Sequence, residues 1–311
     1  VNPSTPAIGS GNLPNKPPTY HRQRLLLFFL DQAGGELTKL DLQKLLFLYT
    51  QESGSGHYAF VPYRFGCYSF LLKDDLDLLE KRGWLTIKDH LVALSAPLIN
   101  AKWAKNSPTK RTVGRWLRNK SSRGDELIKE VYLRFPWYAT RSELKKRLLN
   151  KDELAKVTDA QTQLDDQQTL FTLGYEGIQF EEYLNRLLVN NIKLVCDVRR
   201  NPLSRKFGFS GKTLATILPK IGIEYIHLAT LGIDSSLRKN LTHPSDYQAL
   251  FTNYRATLEQ QQPGELGQIM DLLNKHKRVA LTCFEQLQQS CHRHCITDFL
   301  KQQQPIAVIH L

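Results

Sequence analysis

No apolar run in this 311-residue sequence approaches the roughly 20 residues that a membrane-spanning helix needs, so a membrane partner is not expected. Cysteine is scarce and odd in number: Cys67, Cys196, Cys283, Cys291 and Cys295. Five thiols in a chain this long do not resemble the framework of a small secreted disulfide protein. Residues 1–20 lack an apolar signal core and are rich in Pro, Gly, Ser and Asn, which reads as a disordered tail. A cytoplasmic, reduced protein is the expectation.

Acid is also in short supply, with 30 Asp and Glu against 42 Lys and Arg. Residues 1–167 carry 26 basic and 18 acidic side chains, and the remainder carries 16 and 12. Between Lys102 and Arg123 there are eight basic residues and no acid. Trp103 and Trp116 are interleaved with them. Positive charge recruits phosphates by counterion release, and indoles can stack on bases. Lys110, Arg111, Arg115, Trp116, Arg118, Lys120 and Arg123 are therefore the candidate nucleic-acid contacts, to DNA before RNA. The alternative is a solvated basic face whose tryptophans anchor it to the core.

The length predicts two domains. Apolar spacing predicts helices over Arg22–Leu30 and Lys39–Gln51, the second capped by Thr38, and over Ser69–Arg82. Trp84–Lys88 and Leu91–Leu94 flank Asp89-His90 as a hairpin. This is the order of a winged-helix module, so residues 21–150 read as a mainly helical recognition domain and 151–168 as a linker. Residues 169–311 alternate short apolar strands with amphipathic helices. That pattern predicts an α/β fold, a Rossmann-like parallel sheet with helices on both faces.

Ligands of such sheets bind beyond the carboxyl ends of the strands. Those ends carry Gly174-Tyr175-Glu176-Gly177, then Asp197-Val198-Arg199-Arg200-Asn201-Pro202 with Ser204 and Arg205, then Cys283-Phe284-Glu285, and finally Cys291-His292-Arg293. Arg199, Arg200 and Arg293 can clamp an anion, with Tyr175, Asn201, Ser204 and Arg205 beside them. Glu176, Asp197, Glu285 and His292 are acid/base candidates. Cys291, beside His292 and Arg293 at a helix start, is a candidate nucleophile. Asp197 has a structural alternative, orienting Arg199. Cys291 and Cys295 are four residues apart and could share a helix face with Cys283 nearby, but no second spaced pair exists and no metal site is expected. No cofactor is expected.

These strand-end segments, with Thr172-Leu173 and Leu231-Gly232-Ile233, closely resemble a bacterial family known only as domain of unknown function 488. That resemblance lends signature positions and no settled reaction. Leu40 to Tyr49, Phe60 to Phe70 and Gly83-Trp84-Leu85 look like the Panacea antitoxin-type domain. This second resemblance implies a module for recognising nucleic acid or protein, of the kind that accompanies toxin–antitoxin and phage-defence genes. A strand ending in Asp-Val-Arg, with a later strand ending in Cys before an Arg-started helix, is similar in plan to rhodaneses and cysteine phosphatases. Their Cys and Arg bracket one tight loop, whereas Cys283 and Arg293 are ten positions apart.

The leading expectation is a nucleic-acid- or nucleotide-directed enzyme, with a small nucleotide as a further ligand. A DNA-binding regulator with a ligand-sensing α/β domain and a thiol-dependent redox or sulfur-transfer enzyme are the alternatives.

Overall fold

The computed structural model describes residue 14 and residues 16–161, 166–238, 243–261 and 263–311. Most of the expected tail lies outside them. The chain divides into two compact units with the boundary after Gln161.

The first unit contains α1 (His21–Gln32), β1 (Glu36–Thr38), α2 (Lys39–Ser53), β2 (Val61–Tyr63), β3 (Gly66–Tyr68), α3 (Phe70–Lys81), β4 (Leu85–Lys88) and β5 (Leu91–Leu94). Helices α4 (Pro108–Arg118), α5 (Gly124–Arg134), α6 (Pro136–Ala139), α7 (Lys145–Leu148) and α8 (Lys151–Asp159) complete it. Helix α1 buries every residue from Leu25 to Leu30, so it runs through the core rather than along its surface. The Thr38 hydroxyl caps α2 by accepting from the Asp41 amide at 2.9 Å. Strands β1, β5 and β4 form one antiparallel sheet in that order, and β2–β3 is a separate hairpin. Buried Asp75 of α3 ties the helices together, accepting from Arg22 Nε and Gln23 Nε2 of α1, each at 2.6 Å.

Pro136 ends α5 as the sequence implies: it cannot donate to a helix, and Phe135 before it is turned out of the helical region at φ −136°. The segment read as a linker begins as α8. Asn150 and Glu153 bond each other's backbone amides in a capping box, which makes a helix of its first turns.

The second unit contains β6 (Thr169–Gly174), α9 (Phe180–Val189), β7 (Leu194–Asp197), α10 (Gly211–Ile217), β8 (Glu224–His227), α11 (Pro244–Gln261), α12 (Pro263–His276), β9 (Arg278–Cys283), α13 (Arg293–Gln303) and β10 (Ala307–His310). It is an α/β unit whose five strands are all parallel, in the order β10-β6-β9-β7-β8. Every residue of β6, β7 and β9 is buried, the property of strands covered on both faces.

Two consequences position the site. The three buried strands are neighbours, and their ends are level, Gly174 opposite Cys283 and Asp197 opposite Thr282. Successive side chains of a strand alternate faces. Cys283 therefore points to the face packed by α11, α12 and α13, and Thr282 to the other, where it accepts a bond from Tyr183 of α9.

Among the described residues no helix is long and apolar enough to cross a membrane.

Candidate functional site

Two glycines bring the loops together. A Cβ on Gly174 would collide with the Glu285 carbonyl, and one on Gly232 with the backbone of Arg200. Only a residue without a side chain lets the backbones touch there. The ends of β6 and β9 are thereby locked to each other, and the loop after β8 is locked to the loop after β7.

Between them lies a cleft of about 320 Å³. Its rim is Arg200, Asn201, Leu203, Ser204 and Phe284, and Tyr175, Arg199, Arg238, Cys283 and His292 are deeper. Four segments that are distant in sequence thus meet in one cavity.

One side of the cleft is built on a buried ion pair. Asp197 Oδ1 accepts from Arg199 Nε at 2.8 Å and Oδ2 from Arg199 Nη2 at 2.5 Å. The Arg199 amide and the Tyr225 hydroxyl take the remaining acceptor positions of Asp197. Arg199 also donates to the Tyr175 hydroxyl and the Phe209 carbonyl, each at 2.8 Å. The Tyr175 ring stacks on Phe209 at 4.2 Å. Burial works against the Arg199 charge, but Asp197 and Tyr175 outweigh it and hold the guanidinium protonated. Asp197 is fully buried, bonded at both oxygens and absent from the cleft wall, so it reaches the cleft only through Arg199. Arg200, one residue on, is exposed and has no ion-pair partner among the described residues.

The other side is the floor. His292 Nε2 lies 2.9 Å from the Val198 carbonyl, so that nitrogen carries the proton and donates. Nδ1 is left as an acceptor, 3.9 Å from Cys283 Sγ, 3.7 Å from Cys291 Sγ and 3.0 Å from Arg238 Nη2. Arg238 Nη1 pairs with Glu285, whose other oxygen is 3.1 Å from Cys283 Sγ. Burial pushes the Glu285 carboxyl up, as does Cys291, while Arg238 opposes them. Arg293 is fully buried with no carboxylate partner among the described residues, and its Nε stands 3.3 Å from Cys291 Sγ. Burial disfavours a Cys291 thiolate, but a bond from Cys283 and the Arg293 charge outweigh it and hold that thiol well below its usual range. Cys283, facing the Cys291 sulfur and Glu285 from a buried position, is pushed up.

The expected residues therefore separate. Tyr175, Arg199, Arg200, Asn201, Ser204 and His292 line the cleft. Cys283 lines it too, whereas Cys291 lies behind with no exposed surface. Glu285 and Arg293 support the floor from outside the lining. Glu176 is exposed, accepts from the Gln286 amide at 3.1 Å and does not reach the cavity, and neither does Arg205. The pairing by spacing of Cys291 with Cys295 is replaced by Cys291 with Cys283 and His292, because Cys295 sits beside His294 instead, 3.4 Å from its Nε2. Arg238 escaped the sequence reading because it lies 11 positions beyond the end of β8 at His227. The one pointer to it was Gly232, whose contact with Arg200 draws its loop to the cleft.

In the first unit, Trp116 packs against Phe29 and Tyr49 and donates its indole N–H to Glu52 at 2.6 Å. Trp103 packs against Phe28 and Trp84. Both rings are half-buried against the core. Lys110 is paired with Asp31, and Lys120 with Glu52 and Glu130. Arg123 bonds backbone carbonyls. Arg111, Arg115 and Arg118 stay exposed on one face of α4. A larger groove of about 820 Å³ lies beside α2 and α3; much of its wall is apolar, and buried Lys44 and Cys67 line it.

Residues 179–300 match the model of the family described as Domain of unknown function DUF488. The match runs from the helix after β6 to α13 and so includes Asp197 to Ser204, Gly232, Cys283, Glu285 and Cys291 to Arg293. No curated protein matches the chain.

Proposed function

We propose that the second unit is a Rossmann-like enzyme acting on a phosphate-bearing substrate of the nucleotide class, and that the first unit delivers it to nucleic acid. The observation that carries this reading is the single cleft with an unpaired Arg200 at its mouth and Cys283, His292 and Glu285 around its floor. Guanidinium donors suit a phosphate, with the Asn201 and Ser204 side chains as further polar partners. Leu203 and Phe284, both exposed at the rim, offer apolar surface to a base. Arg199 is a positioning residue, since Asp197 and Tyr175 already occupy its donors. Glu285 is the proton carrier, with its carboxyl raised toward the range useful to a general acid, and His292 is held in the floor by the Val198 carbonyl with Nδ1 facing the two thiols.

Support for a winged-helix-like first unit is the order α1, β1, α2, α3, β4, β5, with the β2–β3 hairpin inserted between α2 and α3, and β1 beside β5 in the sheet. The exposed positions of α3 include Asp74, Asp77 and Glu80, which repel phosphate. Contact with DNA is therefore assigned to Arg111, Arg115 and Arg118 of α4, as backbone contact without base readout.

Thermal-shift titration with nucleoside mono-, di- and triphosphates tests the reading. Stabilisation lost in Arg200→Ala, together with turnover lost in His292→Ala, supports it. A nucleotide that stabilises the protein and is never altered makes the cleft a sensor instead. No stabilisation by any of them removes the substrate class.

A further inference from the structure

Cys283 closes β9, and Cys291 and His292 lead into α13, yet their Sγ, Sγ and Nδ1 atoms all lie within 4.8 Å of one another. We infer that these three side chains form a zinc site at the floor of the cleft, with the fourth coordination position open to substrate. The inference rests on the cleft proposed above as the reactive site and names the group that makes it reactive.

The distances are those of a ligand set. Tetrahedral zinc with Zn–S near 2.3 Å and Zn–N near 2.0–2.1 Å holds sulfur and nitrogen roughly 3.6 Å apart. The two thiols stand 3.9 and 3.7 Å from Nδ1. The tautomer also fits. The Val198 carbonyl, 2.9 Å from Nε2, fixes the proton there and turns the Nδ1 lone pair toward the sulfurs, the orienting role an outer-shell carbonyl plays at zinc. A disulfide between the two cysteines would need no such histidine.

Charge points the same way. The buried Arg293 guanidinium has no carboxylate partner among the described residues and places Nε 3.3 Å from Cys291 Sγ. A metal-bound thiolate is a fitting acceptor for that donor. Two sulfurs and one imidazole select zinc over magnesium or calcium, which take oxygen. Cys283 and His292 both line the cavity while being 3% and 1% exposed, so the remaining position faces the cleft.

Arg238 holds the place of the cation, with Nη2 3.0 Å from Nδ1 and Nη1 on Glu285. It sits in the short turn 235–238, outside any long helix, and uptake of the metal requires its side chain to move aside. Binding then releases to solvent whatever thiol protons the two cysteines still carry and puts a divalent ion in place of the guanidinium.

The test is titration of the fully reduced, metal-free protein with Co²⁺ under anaerobic conditions, followed by displacement with Zn²⁺. One equivalent should give the visible bands of tetrahedral cobalt and a thiolate charge-transfer band. Cys283→Ser, Cys291→Ser and His292→Ala should each weaken binding by more than about tenfold. Cys295→Ser should leave it unchanged, and Arg238→Ala should tighten it, which keeps the test valid if a ligand variant fails to fold. Absence of the bands, or affinity unchanged in the ligand variants and in Arg238→Ala, overturns the site. Metal binding without nucleotide binding would remove only the proposed substrate. Nucleotide binding by a protein that takes up no metal would remove only the zinc.

Discussion

Asp197 and Arg199 differ by two positions and are both buried, and their charges survive only as a pair. Asp197→Asn leaves the guanidinium without its countercharge, so a loss of about 3–5 kcal/mol is expected in urea denaturation. The bonds that Arg199 donates to the Tyr175 hydroxyl and the Phe209 carbonyl should break along with the pair. A change under about 1 kcal/mol would deny the pair its structural role. Glu52 gives a second residue-scale prediction. Partial burial raises its carboxyl, but bonds from Lys120, Arg134 and Trp116 outweigh this and hold it at about 2, against an ordinary 4.5. A lowered folded value means stability that is complete above the unfolded value and lost as pH falls toward the folded one. Wild type should therefore be more stable than Glu52→Gln at neutral pH, and the gap should close between about pH 4.5 and about pH 2. Melts of both proteins across that range check it.

The elements that position the cleft were largely legible as sequence. Continuous apolar runs announce β6, β7 and β9, and residues just beyond them line the cleft. What escaped was side-chain direction and partnership. Asp197 shows it, since nothing in its neighbours says that the Tyr225 hydroxyl and the Arg199 fork will use up its oxygens. Trp116 shows it again, because its basic surroundings suggested stacking on bases, while Glu52 lies 64 positions earlier and captures the indole. Arg238 depends on a loop drawn in by Gly232. That close approach predicts that Gly232→Ala pushes the two loops apart and weakens anion binding at the cleft by about tenfold or more. A titration calorimeter would read it, and an unchanged affinity would mean the loops are not locked.

For the whole molecule, the proposed reading gives the two units different tasks on the ground of charge. Arg111, Arg115 and Arg118 stand on one face of α4 with no ion-pair partner among the described residues, while Asp74, Asp77 and Glu80 of α3 face solvent. If α4 carries the nucleic-acid contact, replacing all three arginines by Ala should weaken DNA binding. It should also reduce the slope of log affinity against log salt by about 2 to 3, roughly one ion per lost phosphate contact. Filter binding at several salt concentrations would show it, and an unaltered slope would move the contact elsewhere. The same triple variant should leave nucleotide-induced stabilisation of the second unit intact.

Convergence at the cleft is the claim from which the rest follows, and calorimetric titration of wild type and Arg200→Ala with the best-stabilising nucleotide tests it most directly. The account predicts saturable one-to-one binding by wild type and a loss of at least about tenfold in the variant, the scale of one charge-assisted contact. Equal affinity in both proteins would contradict it.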